Sequence, residues 1–311
     1  MTINVLFAAL PGRWREYEGH LRRGFREAGL DVRLTADTDR PDTVDYIVYA
    51  PNSPVRDFTP FTRLRAVLGL WAGVEDVVGN ATIRVPLTRM VDSGLTEGMV
   101  EWVVGQTLRH HLNIDHALSR QGGEWDRHVP PLARQRPVTV LGLGELGAAC
   151  AGALAALNFP VTGWSRTPRR IAGITCLAGP AGLEQALASA RILILLLPLT
   201  PGTENLLNAA HLDQLPPGAI LINPGRGQLV DDEALLAALD SGRIAHATLD
   251  VFRTEPLPPE HPFWHHPRVT VTPHIASETR AETASRVIVE NVRRSEAGVP
   301  LLHLVDRTRG Y

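Results

Sequence analysis

The sequence is poor in cysteine, in net charge and in long apolar runs, and each shortage excludes a class of protein. Two cysteines among 311 residues, Cys150 and Cys176, cannot build a disulfide framework or a cysteine-rich metal site. A formal net charge of −2 gives no electrostatic reason to bind nucleic acid. The most apolar run, Ile192 to Leu199, is too short to cross a bilayer. We therefore expect a globular protein of the reducing cytoplasm, with neither a nucleic-acid nor a membrane partner.

The histidines do not form a metal-binding pattern either. The pairs His110-His111 and His265-His266 are adjacent in sequence, and adjacent side chains rarely converge on one ion. No carboxylate or cysteine stands at a ligand spacing from either pair. We expect no metal site.

What the sequence does contain is a glycine motif in a strand–turn–helix setting. Val138 to Leu141 predicts a buried parallel strand, and the alanine-rich pattern from Glu145 to Leu157 predicts a helix. Between them, the glycines have the spacing of a dinucleotide-binding turn: the first permits the tight turn, the second lets the backbone approach a pyrophosphate, and the third lets the helix pack on the strand. The helix N-terminus adds N–H groups and partial positive charge. The residues assigned to this cofactor site are Gly142, Gly144, Glu145, Leu146 and Gly147.

The next predicted strand, Val161 to Trp164, ends without the acidic residue that usually accepts hydrogen bonds from the ribose of NAD. Residues 164–170 contain three arginines and no acid. A 2′-phosphate is held by Arg and Ser and repelled by a carboxylate. We therefore assign Trp164, Ser165 and Arg166 to the cofactor site and predict NADPH in preference to NADH. The alternative is a solvated basic loop.

Strands and helices alternate along most of the chain, which is typical of α/β proteins with parallel sheets. A first unit without a phosphate turn precedes a long helical pattern at 96–120, and the final predicted helix, Thr279 to Glu296, carries the chain back towards that unit. The expected fold has two parallel-sheet domains, Rossmann-like or flavodoxin-like, with a cleft between them. We place a substrate-binding lid domain at 1–104 plus 280–311 and a dinucleotide-binding domain at 105–279.

Two residues beyond later strands have the chemistry of a reaction centre. Arg226 lies between two glycines after a buried strand, where open α/β sheets place ligands, and its planar fork suits a carboxylate or an oxyanion. His274 also follows a strand, and Glu255 precedes it by 19 positions (274 − 255). If the fold pairs them, the carboxylate favours the protonated imidazole that a proton donor requires. The alternatives are a surface-turn arginine and a structural histidine.

Taken together, these motifs resemble the D-isomer-specific 2-hydroxyacid dehydrogenase family, and within it the glyoxylate/hydroxypyruvate reductase branch. The resemblance is continuous over the coenzyme half and weaker in the first half, at Ala72-Gly73-Val74 and Glu101-Trp102. The coenzyme-half segments that carry it are the glycine turn, Trp164-Ser165-Arg166, Leu197-Pro198-Leu199-Thr200, Asn223 to Gly227, Leu249 to Phe252, Glu255-Pro256-Leu257 and Pro273-His274-Ile275-Ala276.

The resemblance implies a reduction of a short 2-keto acid by hydride transfer. Arg226 would bind the substrate carboxylate and polarise the keto oxygen, His274 would donate the proton, and Glu255 would orient and charge His274. The cofactor half would add Asp250, which holds the nicotinamide carboxamide, and Leu197, Pro198 and Leu199, which line the coenzyme site. Backbone N–H groups at Gly73 and Val74 would bind the substrate carboxylate as well. A loop around Trp125 resembles a dimer arm, which implies a homodimer, although a buried anchor is the alternative for this residue.

One departure and several alternatives accompany the resemblance. Pro224-Gly225 precedes Arg226, where the family more often has alanine-like residues; Pro removes a backbone donor and Gly adds backbone freedom. A formate-oxidising enzyme is disfavoured by Glu255, since that branch has an amide there. A phosphoglycerate dehydrogenase is disfavoured because the chain has no room for a further regulatory domain. A reductase of another 2-keto acid and a nucleotide-sensing module on the same fold both stay open.

Overall fold

The short apolar runs of the sequence form two separate parallel sheets in the computed structural model, which describes residues 2–310. The contacts divide the chain into unit 1, Met1–Leu95 with Glu278–Tyr311, and unit 2, Thr96–Ser277. Every strand pairing within the sheets is parallel, and helices separate most consecutive strands. The predicted α/β fold class is thereby confirmed.

Unit 1 contains a five-stranded sheet of order β2-β1-β3-β4-β5. Its C-terminal helix belongs to the same core, because Ala284, Ile288 and Val292 pack with Phe7 and Tyr17. The apolar stripe of this helix explains why the chain returns to unit 1. The elements are β1 Ile3–Ala8, α1 Pro11–Glu27, β2 Val32–Thr35, β3 Tyr46–Tyr49, β4 Ala66–Gly69, α2 Glu75–Val78, β5 Leu87–Thr88 and α9 Ala281–Glu296, and α3, Ser93–His111, begins here and continues into unit 2.

Unit 2 contains a seven-stranded sheet of order β12-β11-β10-β9-β6-β7-β8. The strand order reverses between β6 and β9, and ligands of open α/β sheets bind at such a switch point. The elements are α4 Ile114–Leu118, β6 Val138–Leu141, α5 Glu145–Ala156, β7 Val161–Ser165, β8 Thr175–Ala178, α6 Gly179–Ser189, β9 Ile192–Leu195, α7 Ala209–Gln214, β10 Ala219–Asn223, α8 Asp232–Asp240, β11 Ile244–Leu249 and β12 Val269–Val271.

The boundaries between the units differ from those drawn on the sequence. The sequence placed residues 96–104 in the lid domain, whereas in the structure they belong to unit 2. The reason is that Met99 and Val103 of α3 are buried in the same apolar cluster as Val138 and Val140 of β6. At the other end, residues 278 and 279 belong to unit 1, where Thr279 donates a hydrogen bond to the carbonyl of Leu70.

Two predicted elements differ in the structure, and one strand was not predicted. The helix expected to reach residue 120 ends at His111, since Asn113 takes a left-handed conformation with φ of 55° before the short α4. The apolar residues of the segment from Ile83 to Leu87 predict a strand, but the structure has one only at Leu87–Thr88, because Pro86 has no N–H to donate. Strand β8 went unpredicted, since it is an edge strand with no fully buried residue and therefore lacks a clear apolar pattern. Among residues 2–310, no helix has both the length and the apolar character of a membrane span.

Candidate active site

The predicted site residues of unit 2 lie along one edge of its sheet. Parallel strands end at the same edge, and β6, β9, β10, β11 and β12 are each followed by a segment that contains at least one of them. Backbone hydrogen bonds connect these ends: Asp250 N–H donates to the carbonyl of Asn223, and His274 N–H donates to the carbonyl of Asp250. The sheet therefore collects residues that are up to about 130 positions apart (274 − 142).

The glycine turn after β6 has the form that a pyrophosphate requires. Gly142 has φ of +107°, and a Cβ there would approach the carbonyl oxygen of Leu196 to 2.4 Å. A Cβ on Gly147 would approach the carbonyl oxygen of Gly142 to 1.7 Å, so the helix packs directly on the turn. At exposed Gly144, by contrast, a Cβ would meet no described atom within 4 Å. No described side chain caps α5, which begins with Glu145 and Leu146 and so presents its N–H groups to this open space.

The loop after β7 is basic and exposed. The side chains of Arg166, Arg169 and Arg170 are all exposed, and Ser165 donates a hydrogen bond from its hydroxyl to the carbonyl of Thr167. Trp164 is different, because its side chain is buried and its indole N–H donates to the carbonyl of Gly179. The indole therefore anchors the end of the strand, and the assignment of Trp164, Ser165 and Arg166 to the cofactor site stays a prediction.

The segment after β9 lies beside the glycine turn, as the closeness of Gly142 to Leu196 shows. Leu197 is buried in the core, whereas Pro198 and Leu199 are partly exposed. Their assignment to the coenzyme site stays a prediction. Gly73 and Val74 lie in unit 1, in the loop that precedes α2, and their assignment to the substrate also stays a prediction.

Arg226 is partly buried in a tightly packed turn after β10. A Cβ on Gly227 would approach the carbonyl carbon of Phe252 to 2.0 Å, so the backbone of the turn packs directly on the segment after β11. The guanidinium donates a hydrogen bond from Nη1 to the carbonyl of Gly225 at 2.7 Å. Its positive charge lowers the pKa of both Glu255 and His274, which places it in the electrostatic environment of that pair.

His274 and Glu255, which the sequence separates by 19 positions, form an ion pair in the structure. The distance from Nδ1 of His274 to Oε2 of Glu255 is 2.7 Å, and the other carboxylate oxygen accepts a hydrogen bond from the N–H of Phe252. A carboxylate only accepts, so Nδ1 has the proton and Nε2 is the nitrogen that changes its protonation. The pair can therefore deliver a proton from Nε2.

The two partners shift each other's pKa in the directions that this chemistry requires. The hydrogen bond that His274 donates to Glu255 raises the pKa of His274, although burial and the charge of Arg226 oppose the rise. Burial raises the pKa of Glu255, but the hydrogen bonds from His274 and Phe252 outweigh it, and that pKa lies below its ordinary value. The imidazolium and the carboxylate are consequently the favoured forms of the pair.

Asp250 fixes the loop that contains His274. Its buried carboxylate accepts three hydrogen bonds: from the Thr272 hydroxyl at 2.6 Å, from Ile275 N–H at 3.0 Å and from Ala276 N–H at 2.8 Å. His274 between these donors has a left-handed φ of 54°, which is strained for a non-glycine residue. Sequence reasoning assigned Asp250 to the cofactor and missed this second role. That assignment stays a prediction.

The histidine pairs have other partners. Nε2 of His110 lies 2.8 Å from the Thr248 hydroxyl, and the ring of His111 packs edge-on against Phe159. Nε2 of His266 lies 3.3 Å from Asp240, while His265 is exposed. Within residues 2–310, no three His, Cys, Asp or Glu side chains are grouped as metal ligands.

Comparisons with known proteins agree with this geometry. Residues 102–276 match the model of the D-isomer specific 2-hydroxyacid dehydrogenase NAD binding domain. The glyoxylate/hydroxypyruvate reductase A of Yersinia enterocolitica serotype O:8 is 40% identical over 299 residues, which cover 91% of this chain and 95% of that protein. The chain belongs to the D-isomer specific 2-hydroxyacid dehydrogenase family, and the resemblance seen in its motifs is confirmed.

Solved structures extend the similarity over the whole chain. A D-isomer specific 2-hydroxyacid dehydrogenase from Xanthobacter autotrophicus Py2, crystallised with NADPH and MES, superposes with a TM-score of 0.93 at 41% identity and covers 100% of both chains. The NADPH-dependent glyoxylate/hydroxypyruvate reductase of Sinorhizobium meliloti, in complex with NADP and sulfate, has a TM-score of 0.86 and 35% identity, and the match covers 100% of this chain and 99% of that one.

Proposed function

We propose that this chain uses NADPH to reduce a short 2-keto acid to the 2-hydroxy acid, with glyoxylate and hydroxypyruvate as the expected substrates. The observation that carries the proposal is the ion pair between His274 and Glu255, next to the guanidinium of Arg226. His274 would be the proton donor, and Arg226 would be the cation that binds the anionic substrate. Reduction of a keto acid requires both groups. The names of the Yersinia and Sinorhizobium relatives support this choice of substrates.

The cofactor assignment rests on the fit of the turn and the loop. The open space at Gly144 and the uncapped start of α5 suit a pyrophosphate, and Ser165 and Arg166 suit a 2′-phosphate. When bound, a reduced nicotinamide supplies the hydride that C2 of the keto acid accepts. The NADPH and NADP complexes of the two structural relatives support the phosphorylated cofactor.

The residues of this chain supply the rest of the chemistry. Arg226 binds the substrate carboxylate and draws electron density towards the keto oxygen, because its fork matches both groups. Nε2 of His274 gives its proton to that oxygen as the C–O double bond becomes a single bond, and Glu255 stabilises the imidazolium beforehand. The imidazole is then reprotonated from solvent before the next turnover.

The assay follows nicotinamide absorbance with the purified protein, glyoxylate or hydroxypyruvate, and NADPH or NADH in separate reactions. We expect fast loss of NADPH and slow loss of NADH. The His274→Ala variant should lose most turnover and keep its affinity for NADPH, because the imidazole acts on the substrate. Near-normal turnover in that variant would remove His274 from the mechanism. Tight NADPH binding without turnover on a wider panel of keto acids would favour the nucleotide-sensing alternative.

We also propose that the chain forms a homodimer through an arm at residues 112–132. Trp125 is 97% exposed within the chain, so the alternative of a buried anchor does not hold. Leu118 and Val129 are exposed as well. Large apolar side chains grouped on one exposed stretch are typical of a protein–protein interface.

A further inference from the structure

Two residues in the turn that presents Arg226 supply little restraint on the backbone conformation of the turn. Pro224 has no N–H to donate, and Gly225 restricts the backbone less than any other residue. Gly225 is nevertheless required, since a Cβ there would approach the carbonyl oxygen of Leu195 to 2.8 Å. Close packing on the end of β9 thus excludes a conformationally more restricted residue at position 225. The conformation of the turn therefore has to be fixed by another group.

The side chain of Asn223 fixes the conformation of this turn. Asn223 is the last residue of β10 and is 1% exposed. Its Oδ1 accepts a hydrogen bond from Gly225 N–H at 3.1 Å, and its Nδ2 donates to the carbonyl of Arg226 at 3.0 Å. One amide therefore bridges the turn and fixes the 224–225 and 226–227 peptide groups, between which Gly225 and Arg226 lie. Its own backbone carbonyl accepts from Asp250 N–H, which connects the turn to β11.

We propose that Asn223 is a positioning residue that fixes the direction of the Arg226 side chain towards the keto acid. The inference rests on the proposed function, because it assigns Arg226 to the substrate. Two hydrogen bonds from one buried side chain replace the restraint that Pro224 and Gly225 do not supply. Only an amide fits, since one end has to accept and the other has to donate.

A positioning role and a general structural role have different consequences. If Asn223 acts through Arg226, its loss weakens binding of the substrate carboxylate and leaves NADPH binding intact. A shift of a positioning group by about 1 Å costs up to about 100-fold in rate, so we expect Asn223→Ala to lower kcat/KM for glyoxylate by about 10- to 100-fold. Asn223→Ser should be intermediate, because a hydroxyl can accept from Gly225 N–H but is too short to reach the carbonyl of Arg226.

The chain offers a matched control in Asn291. It is equally buried at 1% exposure, and its side chain also makes two backbone hydrogen bonds, both to Leu302 in unit 1. Asn291→Ala should lower the melting temperature and leave KM for glyoxylate unchanged. Each variant is assayed for KM and kcat with glyoxylate, for KM with NADPH, and for binding of the carboxylate probe oxamate to the NADPH-bound protein.

A double-mutant cycle decides whether the effect passes through Arg226. In the Arg226→Ala background, Asn223→Ala should cause no further loss of kcat/KM or oxamate affinity, since the group that it positions is absent. A full additional loss in that background would overturn the proposal. So would unchanged glyoxylate KM and oxamate affinity in Asn223→Ala, or in Asn223→Ser if the alanine variant does not fold. If the wild-type protein reduces no keto acid, the proposed function fails, and the oxamate measurements still decide the role of Asn223.

Discussion

At the scale of single residues, the site depends on charge pairs that the sequence separates. Glu255 raises the pKa of His274, so the imidazolium, which is the proton donor of the proposed mechanism, persists to higher pH than in an isolated histidine. Reduction is then fast below that raised pKa and fades as rising pH removes the proton. Burial and Arg226 act in the opposite direction, and when the Glu255 carboxylate is lost the charge of Asp250, the last and smallest of the causes, is left to oppose them.

Glu255→Gln should therefore move the fall in kcat/KM to lower pH. The amide can still accept the hydrogen bond from Nδ1, but it has no charge to stabilise the imidazolium. The measurement is kcat/KM for glyoxylate against pH, which reports the pKa of the free enzyme. Glu260→Gln is the control, since this glutamate is exposed on the same loop. A profile that does not move in Glu255→Gln would argue against a functional pair.

Arg166→Ala should reduce the preference for NADPH over NADH. A charge-assisted hydrogen bond contributes about 1.5–3 kcal/mol, so its loss should change the ratio of the two kcat/KM values by about 10- to 100-fold. The control is Arg191→Ala, because Arg191 precedes β9 and so lies at the opposite edge of the same sheet. Equal losses with both cofactors would show that Arg166 does not read the 2′-phosphate.

At the scale of elements, α3 is held to the far strands of the sheet by buried polar contacts. His110 contacts Thr248 of β11, and Arg109 donates to the hydroxyl of Thr270 in β12, whose other partner is Nε2 of His246. These two strands lead directly into Asp250 and the His274 loop. Burial, together with the charges of His246 and Arg109, lowers the pKa of His110 to about 3. It also lowers the pKa of His246.

This cluster predicts an acid-sensitive stability. A histidine with a depressed folded-state pKa binds its proton more readily in the unfolded chain, so stability is lost as pH falls from about 6.5 towards the folded value. One such group lowers the free energy of unfolding by about 1.4 kcal/mol for each pH unit in that window. Between pH 7 and pH 5, His110→Gln should therefore lose less in melting temperature than the wild type. The exposed His265 gives the control variant His265→Gln, and identical pH slopes for His110→Gln and wild type would contradict the prediction.

The same cluster shows what the sequence could not reveal. Strands with continuous apolar runs were predictable, because burial on both faces leaves a pattern in adjacent residues. Arg226 follows such a strand, whereas His274 follows the partly buried strand β12, and the roles assigned to both residues stay predictions. The bridge made by Asn223, the three hydrogen bonds to Asp250 and the partners of His110 were not predictable, since they join atoms whose distance is set by packing between elements. An edge strand such as β8 leaves no pattern for a related reason, as its residues are only partly buried.

At the scale of the whole molecule, the exposed apolar side chains are concentrated in one stretch of unit 2. Along residues 112–132 the exposed fractions are 43% for Leu112, 62% for Leu118, 97% for Trp125, 68% for Val129 and 54% for Leu132. Leaving this much apolar surface in water costs about 25 cal/mol for each Å² that a partner could cover. In the proposed homodimer, an identical stretch of a second copy covers this surface through a two-fold interface.

Trp125→Ser should accordingly convert the dimer into a monomer. An exposed tryptophan contributes a large area at low entropic cost, and residues of this type are the ones whose loss weakens interfaces by about 2 kcal/mol or more. That is roughly a 30-fold rise in the dissociation constant, so the molar mass from light scattering should fall at low micromolar concentration. Trp264→Ser is the matched control, since Trp264 is 45% exposed outside this stretch. A wild-type mass of one chain at every concentration, or a mass that changes in Trp264→Ser and not in Trp125→Ser, would remove the arm from the interface. The melting temperature of the wild type should also rise with protein concentration, because association stabilises only the folded chain.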